Sequence, residues 1–576
     1  MAVESTFLKQ LHLVSIHRIL YFYLMKNILL LLLMIFSLSA SAQFTNDTIG
    51  NTVIHELNGS EQSVPLTATT SDGKTYISWF DNSSGQYTLR MQLIDMDGIN
   101  QWASGGVVVS SFPQNSALFR YDLEVDKEDN AIVAFQDERT GTLQVVAYKI
   151  TPFGTSAWGN GIVLQDSTSD GLSPRVTVTN ANDVIVAWNA SLGSSKWVAY
   201  SKISAGGQLQ WTKRIWNNQK YSRAVMLPAS TSGFQMLYVQ ESGSFPGVTS
   251  TMYFQRFDSS GTAQWVSPVL VSSKTISFFF FPEIISNLND GVYIAFNTGN
   301  PSNPMMNDVY AQEIDSTGAL WSATGTQCAN STTEHKLVGG FCTNSTGTEI
   351  CVALQVLNSS QSNSGISLQR LDNSGNLLLG TNALNIRPIS ANYYLPVGIT
   401  DEQNGVMITY VLGGFNSQTI SCLLTDYNGL PLWSYDPMIS AFLSNKEDVS
   451  CGPYANGQVV IVWQDDRIDG GIYAQNIFAN GGFGPHVSVE EFSSVREVTI
   501  FPNPSAYPKM KVWSDKQTTA SIHLENLIGE TVSTLTIDLQ KGENLLSLPE
   551  PSVAGIYIVR ILGNNQDLWQ GKWVRP

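Results

Sequence analysis

A strand pattern that returns eight times between Val53 and Gly481 constrains this chain more than any single residue, because each copy is one small sheet that cannot close a core alone. The fullest copies read Ala131-Ile132-Val133-Ala134-Phe135-Gln136-Asp137-Glu138-Arg139, then Val146-Ala147-Tyr148-Lys149-Ile150, Gly154 and Trp158, and, near the end, Trp463-Gln464-Asp465-Asp466-Arg467 followed by Ile472-Tyr473-Ala474-Gln475. Aligning the strand that ends in an aromatic residue gives 76–79, 132–135, 185–188, 235–238, 293–296, 351–354, 407–410 and 460–463, with Leu354 the one non-aromatic ending. A second alternating strand follows, then a turn with Gly98, Gly207, Gly261, Gly318, Gly375, Gly429 or Gly481, suited to a hairpin that needs positive φ. Behind the turns stand Trp102, Trp158, Trp211, Trp265, Trp321 and Trp433, with Leu379 in the sixth slot. These anchors are spaced from 53 (158 to 211) to 58 (321 to 379) residues apart. Two further strand candidates after each anchor, such as 107–110 and 121–125, complete four strands per unit. That predicts an all-β fold, a β-propeller of about eight four-stranded repeats, with seven blades and an irregular unit left open by divergence of the sixth and seventh copies. A row of sandwich domains fits less well, since those run to about 100 residues each.

The chain has 576 residues, too many for one ordinary core, and only 14% are charged. Its net charge is -16. The first 42 residues carry +2 through Lys9, Arg18 and Lys26 against Glu4, which leaves -18 for the remainder. No run of Lys and Arg offsets this, so nucleic acid is not expected as a partner.

Lys26, an apolar stretch over 28–38 and Ala40-Ser41-Ala42 before Gln43 have the order of a secretory signal, with cleavage expected after Ala42. Residues 1–42 therefore form the signal region, and the true start falls at Met25 if the unusually long leading segment is not translated. The apolar stretch is too short to span a bilayer comfortably. No later segment supplies eighteen apolar residues in a row, so the mature chain is expected to carry no transmembrane segment.

A search for chemistry finds no assembled catalytic or metal motif. His55, His335, His486 and His523 are scattered, and no HExxH, GxSxG or P-loop occurs. Cys328, Cys342, Cys351, Cys422 and Cys451 form no CxxC and their odd number leaves at least one unpaired; a Cys328–Cys342 bridge stays open, since spacing alone does not set its geometry. Asp137/Arg139 and Asp465/Arg467 recur at one place in two copies, on one face of an extended segment, which reads as a structural clasp. Asp95-Met96-Asp97-Gly98 offers calcium ligands but lacks the closing Glu of a calcium loop, so no cofactor is expected, with calcium the one open case. The Asp-to-Gly spacing in the hairpins reads as variable, which sets aside a sialidase-type repeat. Phe278-Phe279-Phe280-Phe281 is the most unusual run. Alternation would send two rings to each side, either into blade packing or outward as a ligand platform.

The repeats resemble the Trp-Gln-Asp-x-Arg…Tyr-Ala-Gln…Gly…Trp repeats of exported proteins from Bacteroidetes-type bacteria, most fully at Phe135–Arg139 and Trp463–Arg467. From about Val495 the period stops. Strand alternation over 522–525, 532–539 and 556–561 then reads as a small Ig-like β-sandwich. This tail resembles the type A C-terminal sorting domain of the type IX secretion system, through Phe501-Pro502-Asn503-Pro504, Leu527-Ile528-Gly529-Glu530, Gly555-Ile556-Tyr557-Ile558 and Lys572. The resemblance implies the type IX machinery as a partner, passage through the periplasm, and release or display at the outer cell surface.

The domain reading is thus signal region 1–42, propeller 43–485, linker 486–496 and sorting domain 497–576. Functionally the sequence favours a non-enzymatic propeller that binds a glycan or protein ligand. A polysaccharide hydrolase or lyase and a structural matrix component stand as alternatives. Acidic and basic side chains meeting in one channel would favour the enzyme. An aromatic platform with hydrogen-bonding groups would favour sugar binding.

Overall fold

The computed structural model describes residues 43–485 and 495–576 except 115–119, 140, 167–168, 245–246, 278–279, 288, 301–302, 391, 515–516, 527–529, 550, 552 and 564–565. The expected cleavage-site residues Ala40 and Ala42 lie outside the described residues, as does Gly529 of the tail. Among the described residues every regular element is a strand, and no helix is long and apolar enough to cross a membrane. The chain divides into two compact units at Pro485/His486.

The first unit is a propeller of eight four-stranded antiparallel sheets. Blades 1 to 7 span residues 62–114, 122–164, 170–215, 220–270, 285–327, 335–387 and 394–444, each with its strands in chain order. Blade 8 takes three strands from 446–478, and its fourth is Thr52–His55, paired through Val53 with Tyr473. Thus the two ends of the propeller sequence share one sheet, which closes the ring. Except at blade 5, whose first strand is only Ile285–Ser286, the first strands of neighbouring blades pack against one another, blade 8 against blade 1 included, so they line the channel.

The sequence unit and the blade are out of phase by one strand. The candidate at 121–125, read from the sequence as the fourth strand of the first copy, is the inner strand of blade 2 (Asp122–Val125). Covalent continuity makes each sequence copy look complete, whereas hydrogen bonding assigns that strand to the next sheet.

Burial follows from sheets stacked face to face around the ring. In Ala131–Asp137 every residue is buried. Ala131, Val133 and Phe135 face blade 1, while Ile132 and Ala134 face blade 3, as strand alternation demands. One apolar cluster fills each of the eight interfaces. Burying a ring such as that of Phe135 contributes about 1.5–3 kcal/mol, so the core is distributed between blades rather than concentrated in any one.

The hairpins on one face repeat a single device. An Asp stands three residues before the Gly in Asp95/Gly98, Asp258/Gly261, Asp315/Gly318, Asp372/Gly375 and Asp426/Gly429. Its carboxylate accepts the backbone N–H groups two and four residues on, at 2.8 to 3.0 Å. The variable spacing read from the sequence is therefore corrected: neighbouring acids such as Asp97 obscure a constant register. Each Gly has positive φ, and all but Gly318 have no room for a side chain. A Cβ on Gly207 would come within 2.5 Å of Trp158, on Gly261 within 2.6 Å of Trp211, and on Gly375 within 2.7 Å of Trp321. The Trp of one blade thus lies under the hairpin of the next. Its indole N–H also donates to that hairpin at Trp102–Pro152 O (2.9 Å), Trp321–Asn373 O (3.0 Å) and Trp433–Ala479 O (2.8 Å). Where Leu379 replaces Trp, Leu384 meets Gly429 instead; at ring closure Phe44, 1% exposed, meets Gly98.

All five cysteines are free thiols. The Cys328–Cys342 bridge left open by the sequence does not form: Cys342 lies directly opposite Cys351 on the neighbouring strand, whereas Cys328 is buried between blades 5 and 6.

The second unit packs a three-stranded sheet, built from Val495–Phe501, Lys509–Ser514 and Gly542–Ser547, on a four-stranded one. Met510 and Val512 from the first meet Ile522, Val559, Ile561 and Trp573 from the second. The Phe-Pro-Asn-Pro segment, with cis peptides before Pro502 and Pro504, is stitched to the last strand (Gln566–Arg575). Asn503 donates to Lys572 O at 2.7 Å and accepts from Val574 N at 2.9 Å. Tyr557 is buried against Trp573 and donates to Val553 O at 2.7 Å, while Gly555 pairs with Arg575 at the strand's start.

Candidate functional site at the channel

The inner strands do not run straight. In blades 1, 3, 4 and 8 they bulge, with three steps of the inner strand opposite two of its neighbour: Ser63–Leu66, Leu172–Arg175, Ser222–Val225 and Glu447–Ser450. The bulged residues Val64, Ser173, Arg223 and Asp448 all have φ between 46° and 54°, a costly conformation for non-glycine residues that surrounding contacts must hold. An amide from the preceding blade supplies part of that hold: Asn189 accepts from Arg223 N at 2.7 Å, and Gln136 from Ser173 N at 3.4 Å. Bulges re-aim side chains, and here they turn polar groups toward the channel.

The channel contains a cavity of about 280 Å³, lined among others by Arg120, Arg175, Glu283, Asp448 and Ser450. Arg175 lies between two carboxylates, 2.6 Å from Glu283 and 3.6 Å from Asp122. The guanidinium of Arg120 sits 4.1 Å above the centre of the Phe281 ring and 3.8 Å from Glu283. Arg223 is more deeply set, donating to Phe280 O at 2.9 Å and Ser250 Oγ at 2.6 Å, with Glu241 at 3.5 Å. Tyr121 ties this wall to blade 1 by donating to Val64 O at 2.8 Å.

The enclosed wall shifts several acids. Removal from bulk water raises Asp122, although Arg175 opposes it. Enclosure and the neighbouring Asp122 raise Glu124 to about 8, although the residue as a whole is exposed. Asp448 is raised by enclosure, with Arg120 opposing. Groups that gain or lose a proton near neutrality can donate or accept hydrogen bonds to a polar ligand, and can act as acids or bases.

Of the phenylalanine run, Phe278 and Phe279 lie outside the described residues. Phe280 packs partly buried against the blade 4/5 core, and Phe281 is exposed at 38% beneath Arg120. Asp137 and Arg139 pair directly, Nη2 to Oδ2 at 2.7 Å, with Arg139 also donating to Asn160 O at 2.7 Å. Asp465 is fully buried and gathers Lys446 (2.8 Å), Arg467 (2.6 Å), Ser444 (2.6 Å) and Trp463 (2.9 Å). Arg467 in turn donates to Ile49 O at 2.6 Å and Asn51 Oδ1 at 3.1 Å, fixing the N-terminal segment that closes the ring. Asp81 holds the same place in blade 1, paired with His55 at 3.3 Å, a third copy that the sequence pattern missed because no Arg follows it. Gln43 accepts from Thr52 Oγ1 at 2.9 Å at the start of this closing segment.

The channel residues Arg120, Arg175, Glu283 and Asp448 also escaped the sequence reading, since they belong to no spaced motif. One signal was available: Val64-Pro65-Leu66, Ser173-Pro174-Arg175 and Phe281-Pro282-Glu283 place a Pro before a channel-wall residue in three inner segments.

No family model and no curated protein matches the chain. Solved structures give distant likenesses. A protein of unknown function from Dyadobacter fermentans is 9% identical over 54% of this chain and 95% of that one, at a TM-score of 0.35. A polysaccharide lyase described as an ulvan lyase is 10% identical over 75% and 96%, at 0.41. Prolyl oligopeptidase B from Galerina marginata is 12% identical over 79% of this chain and 55% of that one, at 0.39. Likeness at this level leaves function to the residues of this chain.

Proposed function

We propose that the chain is an exported propeller that binds a saccharide at its channel. The observation that carries the reading is the exposed Phe281 ring beneath the Arg120 guanidinium, beside a cavity of about 280 Å³ with a polar wall. An exposed ring stacks on the apolar face of a sugar, and fixed charged and amide groups satisfy its hydroxyls. The charges of Arg175, Glu283 and Asp122 largely satisfy one another, which suits a fixed recognition wall. The tail is read as a type IX sorting domain that delivers the propeller across the outer membrane to the cell surface or medium. The stitching of Asn503 to the final strand supports this reading, because it makes the opening motif and the end of the chain one structural unit.

A glycan-array screen of the mature chain tests the binding reading. Saturable capture that Phe281→Ala weakens supports it, and absence of any saccharide ligand overturns it. Deleting residues 497–576 tests the sorting reading, with retention in the periplasm as the expected outcome. A second reading, acid–base chemistry on a polysaccharide, is favoured by Glu124, Asp122 and Asp448 around one channel. Chain cleavage of a bound glycan, lost in Glu124→Gln, would establish it in place of simple binding.

A further inference from the structure

Beside the main cavity a smaller recess of about 10 Å³, room for one water-sized group, is lined by Arg120, Arg175, Arg223, Ser173, Asn189 and Phe281. We propose that this recess is an oxyanion subsite, and that the saccharide of the channel is an acidic one, an oxygen of whose carboxylate or sulfate enters the arginine-lined recess while its ring lies on Phe281. The inference rests on the saccharide-binding reading above and narrows it to a chemical class.

Three features carry it. The three guanidinium groups come from blades 2, 3 and 4, or the segments entering them, and converge on one recess, although the chain as a whole carries a charge of -16. Their carboxylate partners are not among the residues lining the recess: Glu283 and Asp122 pair with Arg175, Glu283 also stands near Arg120, and Glu241 is 3.5 Å from Arg223. Planar guanidinium groups held in place by such partners present N–H pairs to an oxyanion with little loss of entropy. The 3.8 Å approach of Arg120 to Glu283 is too long for a strong hydrogen bond, and its side chain is half-exposed over Phe281. Arg120 is therefore the group best placed to turn toward an incoming anion. Burial and the positive charge of Arg175 push the Arg120 pKa down while Glu283 and Asp448 oppose them, and an incoming anion would add to the countercharge that Glu283 supplies. The net negative charge of the chain also disfavours indiscriminate adsorption of polyanions, so retention of one would point to a local site.

The test is direct binding by the mature chain to matched polymers: polygalacturonate against its methyl-esterified form, and chondroitin sulfate against desulfated chondroitin. The acidic member of at least one pair is expected to bind about tenfold or more tightly than its neutral counterpart. The uronate and sulfate pairs distinguish the source of the oxyanion. Arg120→Gln should remove the preference while leaving the melting profile unchanged, and Lys213→Gln, on the outer strand of blade 3, should leave the preference intact. Equal binding of acidic and neutral forms, or a preference that survives Arg120→Gln, overturns the subsite while the saccharide reading stands. No binding to any saccharide overturns both.

Discussion

The hairpin face and the channel wall of the same propeller are built by opposite rules. On the hairpin face five blades repeat an Asp that caps its own turn, and the hairpin Gly rests on an aromatic or aliphatic side chain from the preceding blade. Around the channel, equivalent steps of the inner strands carry Leu66, Arg175, Val225 and Ser450, with no two alike. Repetition marks what every blade needs in order to stack. Divergence on a shared backbone geometry marks where the ring has become one asymmetric surface, and recognition belongs there.

The largest expected effect breaks the ring at its closure. Asp465→Ala would leave Lys446 and Arg467 buried without their shared carboxylate and free the latch on Ile49 and Asn51. A loss of about 3–5 kcal/mol is expected, read as a lower denaturation midpoint. The same residue sets an acid limit. Burial alone would raise its pKa, but Arg467 and Lys446 outweigh it and hold the group at about 2. An unfolded Asp titrates near 3.9, so the depressed folded value contributes about 2–3 kcal/mol that is present above pH ~4 and lost as pH falls toward 2. Melting curves at stepwise lower pH should show this loss in the native chain and a flatter profile in Asp465→Asn.

A smaller effect tests the hairpin face. Gly261→Ala combines positive φ with a Cβ that would collide with Trp211, and should cost about 1–3 kcal/mol. The channel should respond in the opposite sense. Arg120→Gln is expected to change stability by less than about 0.5 kcal/mol while removing the discrimination between acidic and neutral glycans. If the channel variant were the more damaging to folding, the division between a structural face and a recognition wall would fail.

This contrast also explains what could be read from the chain. The buried strands were legible because both faces of strands such as Ala131–Asp137 are covered, leaving continuous apolar runs that end in an aromatic. Gly and Trp were legible because they meet once per blade. The strand assignment of 121–125 was not, since sequence adjacency cannot tell the last strand of one sheet from the first of the next. Nor were the bulges: Val64, Ser173, Arg223 and Asp448 hold positive φ without the Gly or Asn that usually signals it. Arg120 and Glu283 are far apart in sequence and meet only because the ring is closed. The phenylalanine run drew attention to the right segment through composition alone, and its contribution to the wall is Phe281.

The smallest expected effect sharpens the comparison by asking what the hairpin acids are for. Asp315 accepts backbone N–H groups from Thr317 and Ala319, both at 2.8 Å, and the Thr317 hydroxyl at 2.7 Å. Asp95 likewise accepts from Asp97 N and Ile99 N, while Gln101 donates to its other oxygen at 3.1 Å. Burial alone would raise the Asp315 pKa, but these donors favour the ionised carboxylate and hold it below its usual value. On an exposed turn the acceptor geometry is still the larger part of the effect, and an amide oxygen offers the same geometry. Asp315→Asn should therefore be neutral within about 0.5 kcal/mol, whereas Asp315→Ala should lose about 1 kcal/mol through the missing acceptor. Calcium in place of chelator should leave the melting temperature unchanged, because a cation that bound these hairpins would raise it by mass action. A calcium-dependent rise, or a large loss in Asp315→Asn, would mean that charge matters on this face too, and that the hairpins carry more than the stacking of blades.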